Sequence, residues 1–368
     1  MGFVVLADTD FTYVLSVQNS IFVGPDATLY STTVETTPII GSTLPGRTVR
    51  IEGTVLGQNA TAITLTQGDH TIVVGPGGAT YSNPNWVNIL VNGPGNLVQN
   101  FGLLSGGGGI QGSGWGGGRI ENDGTIAAQR TTAVTLIDGV GPNTILNTGL
   151  ITGIGGIVLE DSAATIINRA AGEIRSTSAA AAAVDGTGAG TGFVLRNAGT
   201  VTGLDEAIRG SALADTVRNE GAIIGDVRLA GGNDIFRGRP GTIDGELRGG
   251  NGNDTLITGQ GDDSLFGDAG FDRLDGGVGD DSLTGGGGGD VFVFTRSGKG
   301  GTDTIADFTD GQDELDLAAF GFAGFAAVAA LATDLAGGML LDLDDQGGGT
   351  VFVRGFAKAQ FDPGDVLL

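Results

Sequence analysis

Five aspartates recur at an interval of nine residues in the last third of the chain, each followed two positions later by Leu or Phe. They are Asp254, Asp263, Asp272, Asp281 and Asp290. A looser copy of the same unit places Asp234 twenty residues before the first of them. Each aspartate follows closely spaced glycines, where the backbone can approach an ion. Carboxylate and carbonyl oxygens in such turns suit calcium, which takes six to eight ligands at roughly 2.3–2.6 Å.

Composition excludes several other chemistries. The chain has no Cys and a single His, His70, which removes disulfides, thiol catalysis and multi-histidine metal sites such as those of zinc. Its 42 acidic and 18 basic residues give a net charge of −24, and half of that excess falls in residues 231–316. Such a charge disfavours nucleic acid, anionic lipid and acidic polysaccharide as partners and favours cations.

The strict repeat, GGNGNDTLI in its first copy, resembles the calcium-binding nonapeptide G-G-x-G-x-D-x-U-x of the repeats-in-toxin (RTX) family. The resemblance implies a parallel β-roll with each calcium ion between a turn and the turn eighteen residues later. Three complete sites are then expected, at 254/272, 272/290 and 263/281, with Asp234 as a candidate for a fourth. Calcium is the one cofactor expected, at about three or more ions. The candidate metal ligands are Asp234, Gly250, Gly252, Asp254, Gly259, Gly261, Asp263, Gly270, Asp272, Gly277, Gly279, Asp281, Asp290 and Asp303.

The roll is expected to need its ions in order to fold. Bare carboxylates about 5 Å apart repel by roughly 0.8 kcal/mol in water and by about 3 kcal/mol at an effective dielectric constant of about 20. Of the 45 residues from 249 to 293, 15 are Gly, each costing on the order of 0.5–1 kcal/mol more to order than Ala. One Leu or Phe per nonapeptide does not offset these costs. We therefore expect this segment to be disordered at cytosolic calcium and to fold outside the cell.

The segment after the roll resembles the end of secreted RTX proteins, including the serralysin-type proteases, and the whole resemblance covers about 231–368. Its pattern is D-x-F-x-F followed by D-x-I-x-D-F-x-x-G-x-D-x-L-D-L. The resemblance assigns a terminal calcium site to Asp303 or Asp307, while capping by Asp313 and Asp316 explains the same acids equally well. The ending QFDPGDVLL resembles an uncleaved type I secretion signal, and the N-terminus lacks a basic signal-peptide region. We expect export by the type I secretion machinery to the exterior or the cell surface.

A different repeat, apolar-x-Asn-x-Gly-x-apolar, precedes the roll at intervals of 21 to 29 residues, which suit one coil of a β-solenoid. Its asparagines are Asn100, Asn122, Asn147, Asn168, Asn197 and Asn219. We predict an all-β fold, in which a right-handed parallel β-helix continues into the RTX β-roll. Asn and small residues are expected at corners that need left-handed backbone. One helix is expected within the Ala-rich residues 318–337.

The predicted domains are an N-terminal cap or exchangeable strand at 1–44, a solenoid at 45–230, the roll at 231–294, and a C-terminal cap with the secretion signal at 295–368. The unpaired strand edges at the ends of a solenoid can pair with the strands of another copy. This organisation favours a structural protein that self-assembles as a surface-layer or filament subunit, with adhesion as the nearest variant and a cell-surface or matrix polysaccharide as a further candidate partner.

The alternative function is that of a polysaccharide lyase or epimerase built on the β-helix. Serralysin-type proteolysis is excluded because the H-E-x-x-H motif is absent. His70 is expected to be a packed or exposed bystander, since no nucleophile or metal partner accompanies it. Trp86 and Trp115 lie in Gly/Asn-rich loops and are either contact anchors or loop-filling aromatics. We assign no catalytic residue.

Overall fold

A computed structural model of the chain describes residues 3–6, 9–10, 13–14, 20–25, 27–31, 39–40, 45–58, 60–83, 85–137, 139, 141–296 and 301–368. The chain folds as two compact units, Met1–Arg209 and Gly210–Leu368. Each unit is built almost wholly from short parallel strands, which confirms the all-β parallel solenoid class expected from the sequence. The handedness of the crossovers and the four-part domain division stay predictions.

The strands of the first unit are three to ten residues long, apart from the shorter ones near the N-terminus. They are β1 (Phe3–Leu6), β2 (Thr9–Asp10), β3 (Tyr13–Val14), β4 (Ser20–Val23), β5 (Thr28–Ser31), β6 (Ile39–Ile40), β7 (Thr48–Ile51), β8 (Thr54–Gly57), β9 (Ile63–Leu65), β10 (Thr71–Val74), β11 (Ala79–Ser82), β12 (Val87–Asn92), β13 (Leu97–Asn100), β14 (Leu103–Gly106), β15 (Gly108–Ser113), β16 (Arg119–Asn122), β17 (Thr125–Ala128), β18 (Val134–Ile137), β19 (Asn143–Asn147), β20 (Leu150–Gly153), β21 (Ile157–Glu160), β22 (Ala164–Asn168), β23 (Glu173–Ser176), β24 (Val184–Gly188), β25 (Val194–Asn197) and β26 (Thr200–Arg209).

These strands recur in sets of three, one set for each coil. Every third strand from β1 to β25 pairs in parallel with its counterpart in the next coil. The described strands within residues 1–44 join this pattern, since β1 pairs with β4 and β4 with β7. Most of residues 1–44 lies outside the described part of the chain, so the role of this segment as a cap or exchangeable strand stays a prediction.

The interior of the first unit is a stack of aliphatic side chains, because each strand alternates inward and outward residues. In-register pairing places one inward residue of each coil above that of the coil before. One such row is completely buried and consists of Ile72, Val98, Ile120, Ile145, Ile166 and Leu195.

The repeated asparagines do not supply the left-handed corners that the sequence suggested. No Asn among the described residues has positive φ. Instead, five of them stack in register, and each side chain donates from Nδ2 to the Oδ1 of the next coil's Asn at 2.7–2.8 Å. This buried ladder consists of Asn100, Asn122, Asn147, Asn168 and Asn197. A buried amide must find partners, and identical residues one coil apart satisfy each other.

The second unit contains shorter coils. Near its C-terminal end, three consecutive strands pair in antiparallel order, β39 (Ala332–Leu335) with β40 (Gly338–Asp342) and β40 with β41 (Thr350–Arg354). Its strands are β27 (Thr216–Asn219), β28 (Ala222–Arg228), β29 (Ile235–Arg237), β30 (Thr242–Asp244), β31 (Glu246–Asn251), β32 (Thr255–Ile257), β33 (Ser264–Ala269), β34 (Arg273–Asp275), β35 (Ser282–Gly287), β36 (Val291–Val293), β37 (Thr302–Ile305), β38 (Glu314–Asp316), β39 (Ala332–Leu335), β40 (Gly338–Asp342), β41 (Thr350–Arg354) and β42 (Val366–Leu367). Strands β29, β32, β34 and β36 pair in parallel along one sheet, and β31, β33, β35 and β37 along the other.

The helix expected within 318–337 is present but much shorter than that range. The one α-helix of the described residues, α1, spans only Phe325–Ala329, and β39 takes the residues that follow it. A 3₁₀ helix at Ala318–Phe320 ends at Gly321, whose φ of +63° is left-handed. Two further 3₁₀ helices lie at Asp344–Gln346 and Pro363–Asp365. In the part of the chain that the structure describes, no helix is long and apolar enough to cross a membrane.

Candidate metal centre

The repeated aspartates form two columns in the second unit. Each lies directly before a strand, and the in-register pairing of those strands stacks one aspartate on the next. The first column consists of Asp234, Asp254, Asp272 and Asp290, which precede β29, β32, β34 and β36. The second column consists of Asp263 and Asp281, which precede β33 and β35, and is extended by Asp303 in β37. All seven side chains are buried.

Each column is tied together by one carboxylate oxygen. The Oδ1 atom of a column member accepts the backbone N–H of the member one coil earlier, so Asp272 accepts from Asp254 at 2.8 Å. The same bond joins Asp254 to Asp234, Asp290 to Asp272 and Asp281 to Asp263 at 2.8–2.9 Å, and Asp303 to Asp281 at 3.0 Å. These bonds orient the carboxylates identically and leave the second oxygen to point between coils.

The second oxygen has no hydrogen-bond partner in the described structure. The orphaned atoms are the Oδ2 atoms of Asp234, Asp254, Asp263, Asp272, Asp281 and Asp290. A buried polar atom without a partner costs on the order of 1–3 kcal/mol, and more when it carries charge. Six such atoms in two rows form an arrangement that suits a positively charged ligand.

The first glycine of the nonapeptide makes room beside four of the six orphaned oxygens. A Cβ added at Gly249, Gly267, Gly276 or Gly285 would lie between 2.2 and 2.4 Å from the Oδ2 of its own repeat's aspartate. The candidate ligands predicted from the sequence include later glycines of the repeat but not these four. The signal was present, since this position is Gly in every strict copy except the second, which has Thr258.

The later turn glycines adopt backbone conformations that other residues avoid. Positive φ is found at Gly250, Gly252, Gly261, Gly270, Gly277 and Gly279, but not at Gly259. At Gly252 a Cβ would also lie 1.7 Å from the carbonyl oxygen of Gly232. Coils therefore approach each other closely at the turns. A turn carbonyl also lies near a column carboxylate, since a Cβ on Gly267 would be 2.4 Å from the Oδ2 of Asp272 and 2.5 Å from the carbonyl oxygen of Gly285.

Burial raises the pKa of the column carboxyls well above the ordinary value. Desolvation is the largest cause at each position, and like charges in the column add to it at most of them. The pKa rises to about 8 at Asp234, to about 7 at Asp263, Asp272 and Asp303, and to about 6 at Asp281. Desolvation also raises the pKa of Asp254 and Asp290. Without a cation, the fold therefore resists the charged form of its own aspartates.

Two other carboxylates lie at the two ends of the first column. Asp215 continues the first column upstream, but Ser211 donates to both of its oxygens. At the other end, Asp313 accepts the N–H groups of Asp290 and Thr309, one on each oxygen, at 2.8 Å. These two residues act as caps, because their oxygens are already satisfied.

The remaining acids of the terminal segment have separate roles. Asp307 accepts the N–H groups of Gly285 and Gly286 at 2.9 Å, and Asp316 pairs with Arg273 at 2.6 Å. The side chain of Asp275 is buried and pairs with Arg239 at 2.5 Å. Asp262 and Asp280 are exposed.

Calcium fits this arrangement. Among the described residues, no three Asp, Glu or His side chains converge on one point. Most oxygens of a calcium shell would therefore be turn carbonyls, with one or two carboxylates supplying charge. A bound divalent cation would satisfy the orphaned oxygens and lower the pKa of their carboxyls. The assignment of individual ligands stays a prediction.

His70 does not belong to any such cluster. Its side chain is buried in the first unit, where Nδ1 accepts the N–H of Arg47 at 3.2 Å and Nε2 lies 2.6 Å from the carbonyl oxygen of Thr66. Both ring nitrogens therefore have partners within the fold. Trp115 is also buried, against Gly112 and Gly118. It fills a coil and offers no surface to a partner.

Comparison with known proteins supports the RTX resemblance. Residues 188–350 match the family model described as Peptidase M10 serralysin C terminal. No curated protein matches the chain. Among solved structures, the chain is similar to the extracellular lipase LipA from Serratia marcescens at 18% sequence identity and a TM-score of 0.22. That similarity covers 56% of this chain and 45% of LipA, so the chain spans less than half of the lipase's length.

Proposed function

We propose that this protein, whose residues 188–350 carry a serralysin-type C-terminal domain, is a secreted calcium-binding structural protein that folds on calcium after export and self-assembles at the cell surface. The observation that carries the calcium step is the set of six buried, unpartnered Oδ2 atoms in two columns. Low calcium inside the cell would leave these charges uncompensated, and the chain would stay unfolded for passage through the type I machinery. Millimolar calcium outside would complete the fold.

We expect four calcium sites, one between each pair of consecutive column members that both carry an orphaned oxygen. They lie between Asp234 and Asp254, Asp254 and Asp272, Asp272 and Asp290, and Asp263 and Asp281. Each ion would be held by these carboxylates and by the carbonyls of the glycine turns. Four calcium ions would cancel eight units of the net charge of −24. Asp303 would add a ligand at the end of the second column.

Self-assembly is supported by the architecture of each unit. The coils are joined by parallel strand pairing, and an uncovered edge at the end of such a stack can pair with a strand of another copy. Residues 1–44 are the proposed segment for capping or exchange at one end. We assign no catalytic residue, and a polysaccharide lyase or epimerase is the alternative that the following experiment must exclude.

Circular dichroism and negative-stain electron microscopy, each with chelator and with millimolar calcium, test the two steps separately. The expected result is a calcium-dependent gain of β structure followed by ordered polymers. Identical spectra in both conditions would overturn the calcium step. A calcium-folded monomer that cleaves polysaccharide would overturn the structural role and leave the calcium step intact.

A further inference from the structure

One stretch of the first unit is free of charge. Residues 71–118 contain no Asp, Glu, Lys or Arg, in a chain whose net charge is −24. They form the strands from β10 to β15 and the turns between them. Three aromatic side chains are exposed here, Tyr81 at 37%, Trp86 at 41% and Phe101 at 38%. Among the residues of the first unit whose side chains the structure describes, no other aromatic side chain is as exposed.

A shallow cavity of about 450 Å³ opens at Tyr81. It spans two neighbouring coils, because Tyr81 of β11 pairs in register with Leu56 of β8, and Ser82 with Gly57. Its lining residues are Leu56, Gly57, Gln58, Tyr81, Ser82 and Asn83. In the next coil the residue paired with Tyr81 is Ser105, a small side chain that does not cover the phenol ring.

The walls of this cavity are held by the fold. The N–H of Asn83 donates to the carbonyl of Gly57 at 3.0 Å, which fixes the rim of one coil to the coil before it. The carbonyl of Trp86 accepts both the Ser82 hydroxyl at 2.7 Å and the N–H of Gly108 at 3.0 Å. A site that is already shaped loses little entropy when a ligand binds.

The chemistry of the lining suits an uncharged sugar. A half-exposed tyrosine ring offers an apolar face on which the C–H side of a pyranose can stack. The side-chain amides of Gln58 and Asn83 each carry donors and an acceptor, which match the hydroxyl groups of a sugar. The lining contains no cationic side chain to bind a carboxylate, sulfate or phosphate, and the net charge repels such ligands. A protein partner would need a larger apolar patch than one leucine and one tyrosine.

We propose that this cavity, centred on Tyr81, binds a neutral polysaccharide. Trp86 flanks the rim and extends the aromatic surface along the chain of a bound glycan. The site lies wholly within the first unit and uses none of the aspartate columns. It therefore goes beyond the calcium-dependent function, and its failure would leave that function untouched.

The test uses the full chain in millimolar calcium and affinity electrophoresis through gels containing dextran, hydroxyethylcellulose or galactomannan, with alginate as the acidic probe. We expect retardation by at least one neutral polymer and none by alginate. Tyr81→Ala should weaken binding by about tenfold, equivalent to about 1.4 kcal/mol, and Tyr81→Phe should retain it. Gln58→Ala provides a second variant at an exposed position. Phe101→Ala is the matched control, because it removes an equally exposed aromatic outside the cavity.

Melting temperatures of all variants show that each is folded before its binding is compared. Absence of retardation by every neutral polymer overturns the proposal. An equal loss of binding in Phe101→Ala and Tyr81→Ala overturns the location. Retardation by alginate as strong as that by the neutral polymers overturns the assignment to uncharged sugars.

Discussion

Replacing Asp272 by Asn should stabilise the metal-free protein and weaken the calcium-bound one. Asp272 lies in the middle of the first column, where Oδ1 accepts the N–H of Asp254 at 2.8 Å and Oδ2 is buried without a partner. Asn keeps the shape and the Oδ1 bond, removes the negative charge, and turns the orphaned oxygen into an amide donor. A Cβ on Gly267 would lie 2.4 Å from this Oδ2 and 2.5 Å from the carbonyl oxygen of Gly285, so an acceptor for the new donor is close by.

The magnitude follows from the pKa. Burial raises the pKa of Asp272 from 3.8 to about 7, and one unit corresponds to about 1.36 kcal/mol. Above pH 7 the ionised side chain therefore costs the metal-free fold at most about 4 kcal/mol, and Asn removes that cost. In calcium the same substitution takes one anionic ligand from two adjacent ion sites. The calcium concentration at half-folding should rise more than about tenfold, equivalent to about 1.4 kcal/mol.

Circular dichroism at pH 7.5 measures both effects: in chelator, where the roll of the parent is expected to be unfolded, Asp272→Asn should increase the β structure, and a calcium titration gives the midpoint of folding. Asp262→Asn is the matched control. Asp262 is an exposed acid of the same roll whose Oδ1 accepts the N–H of Asp280 at 2.9 Å, so the charge change is identical but no orphaned oxygen is involved. The calcium midpoint of this control should move little. An Asp272→Asn protein with less β structure than the parent in chelator and an unchanged calcium midpoint would refute the reasoning.

Three further predictions concern the coils. The raised pKa values of the column carboxyls, between about 6 and about 8, mean that the metal-free fold binds more protons than the unfolded chain from about pH 4 upward. The β structure of the protein in chelator, followed by circular dichroism, should therefore decrease as pH rises from 5 to about 8, and an increase would contradict this. Gly267→Ala should abolish calcium-induced folding in a calcium titration, because its Cβ would lie 2.4 Å from the orphaned oxygen of its repeat, whereas Gly287→Ala, with no atom nearer than 3.9 Å, should fold like the parent. Asn147→Ala should cost about 3 kcal/mol in urea unfolding in calcium, since it removes both ladder hydrogen bonds of Asn147 and leaves the buried Oδ1 of Asn168 without its ladder donor; a change below about 1 kcal/mol would show that the ladder contributes little.

Much of the second unit could be predicted from local sequence. A strict nine-residue spacing with Leu or Phe after each Asp specifies coil length, strand position and the stacking of Asp on Asp, because two repeats make one coil. The same reasoning assigned Asp234 to the candidate ligands, and the structure places it in the first column with the same orphaned oxygen. In the first unit, the recurring Asn positions were sufficient to predict a solenoid with one Asn per coil.

What the asparagines do was decided only by tertiary structure. A corner residue and a ladder residue have the same spacing along the chain, and only the direction of the side chain separates them. The stacked coils bring each amide within 2.7–2.8 Å of an identical one. The asparagines therefore form a buried ladder instead of adopting left-handed backbone at corners. Likewise, Asp275 and Arg239 are 36 residues apart, and no local pattern indicates that they pair.

The nine-residue repeat alone therefore determined that carboxylates and glycines would meet in two columns suited to calcium. Tertiary structure decided which oxygen of each carboxylate is used by the fold and which is left for an ion. The physical reason is that Oδ1 accepts a backbone N–H from the previous coil, a bond that exists only once the coils are stacked. The second oxygen is then held beside a glycine with no partner in the described structure, and that geometry is what a cation completes.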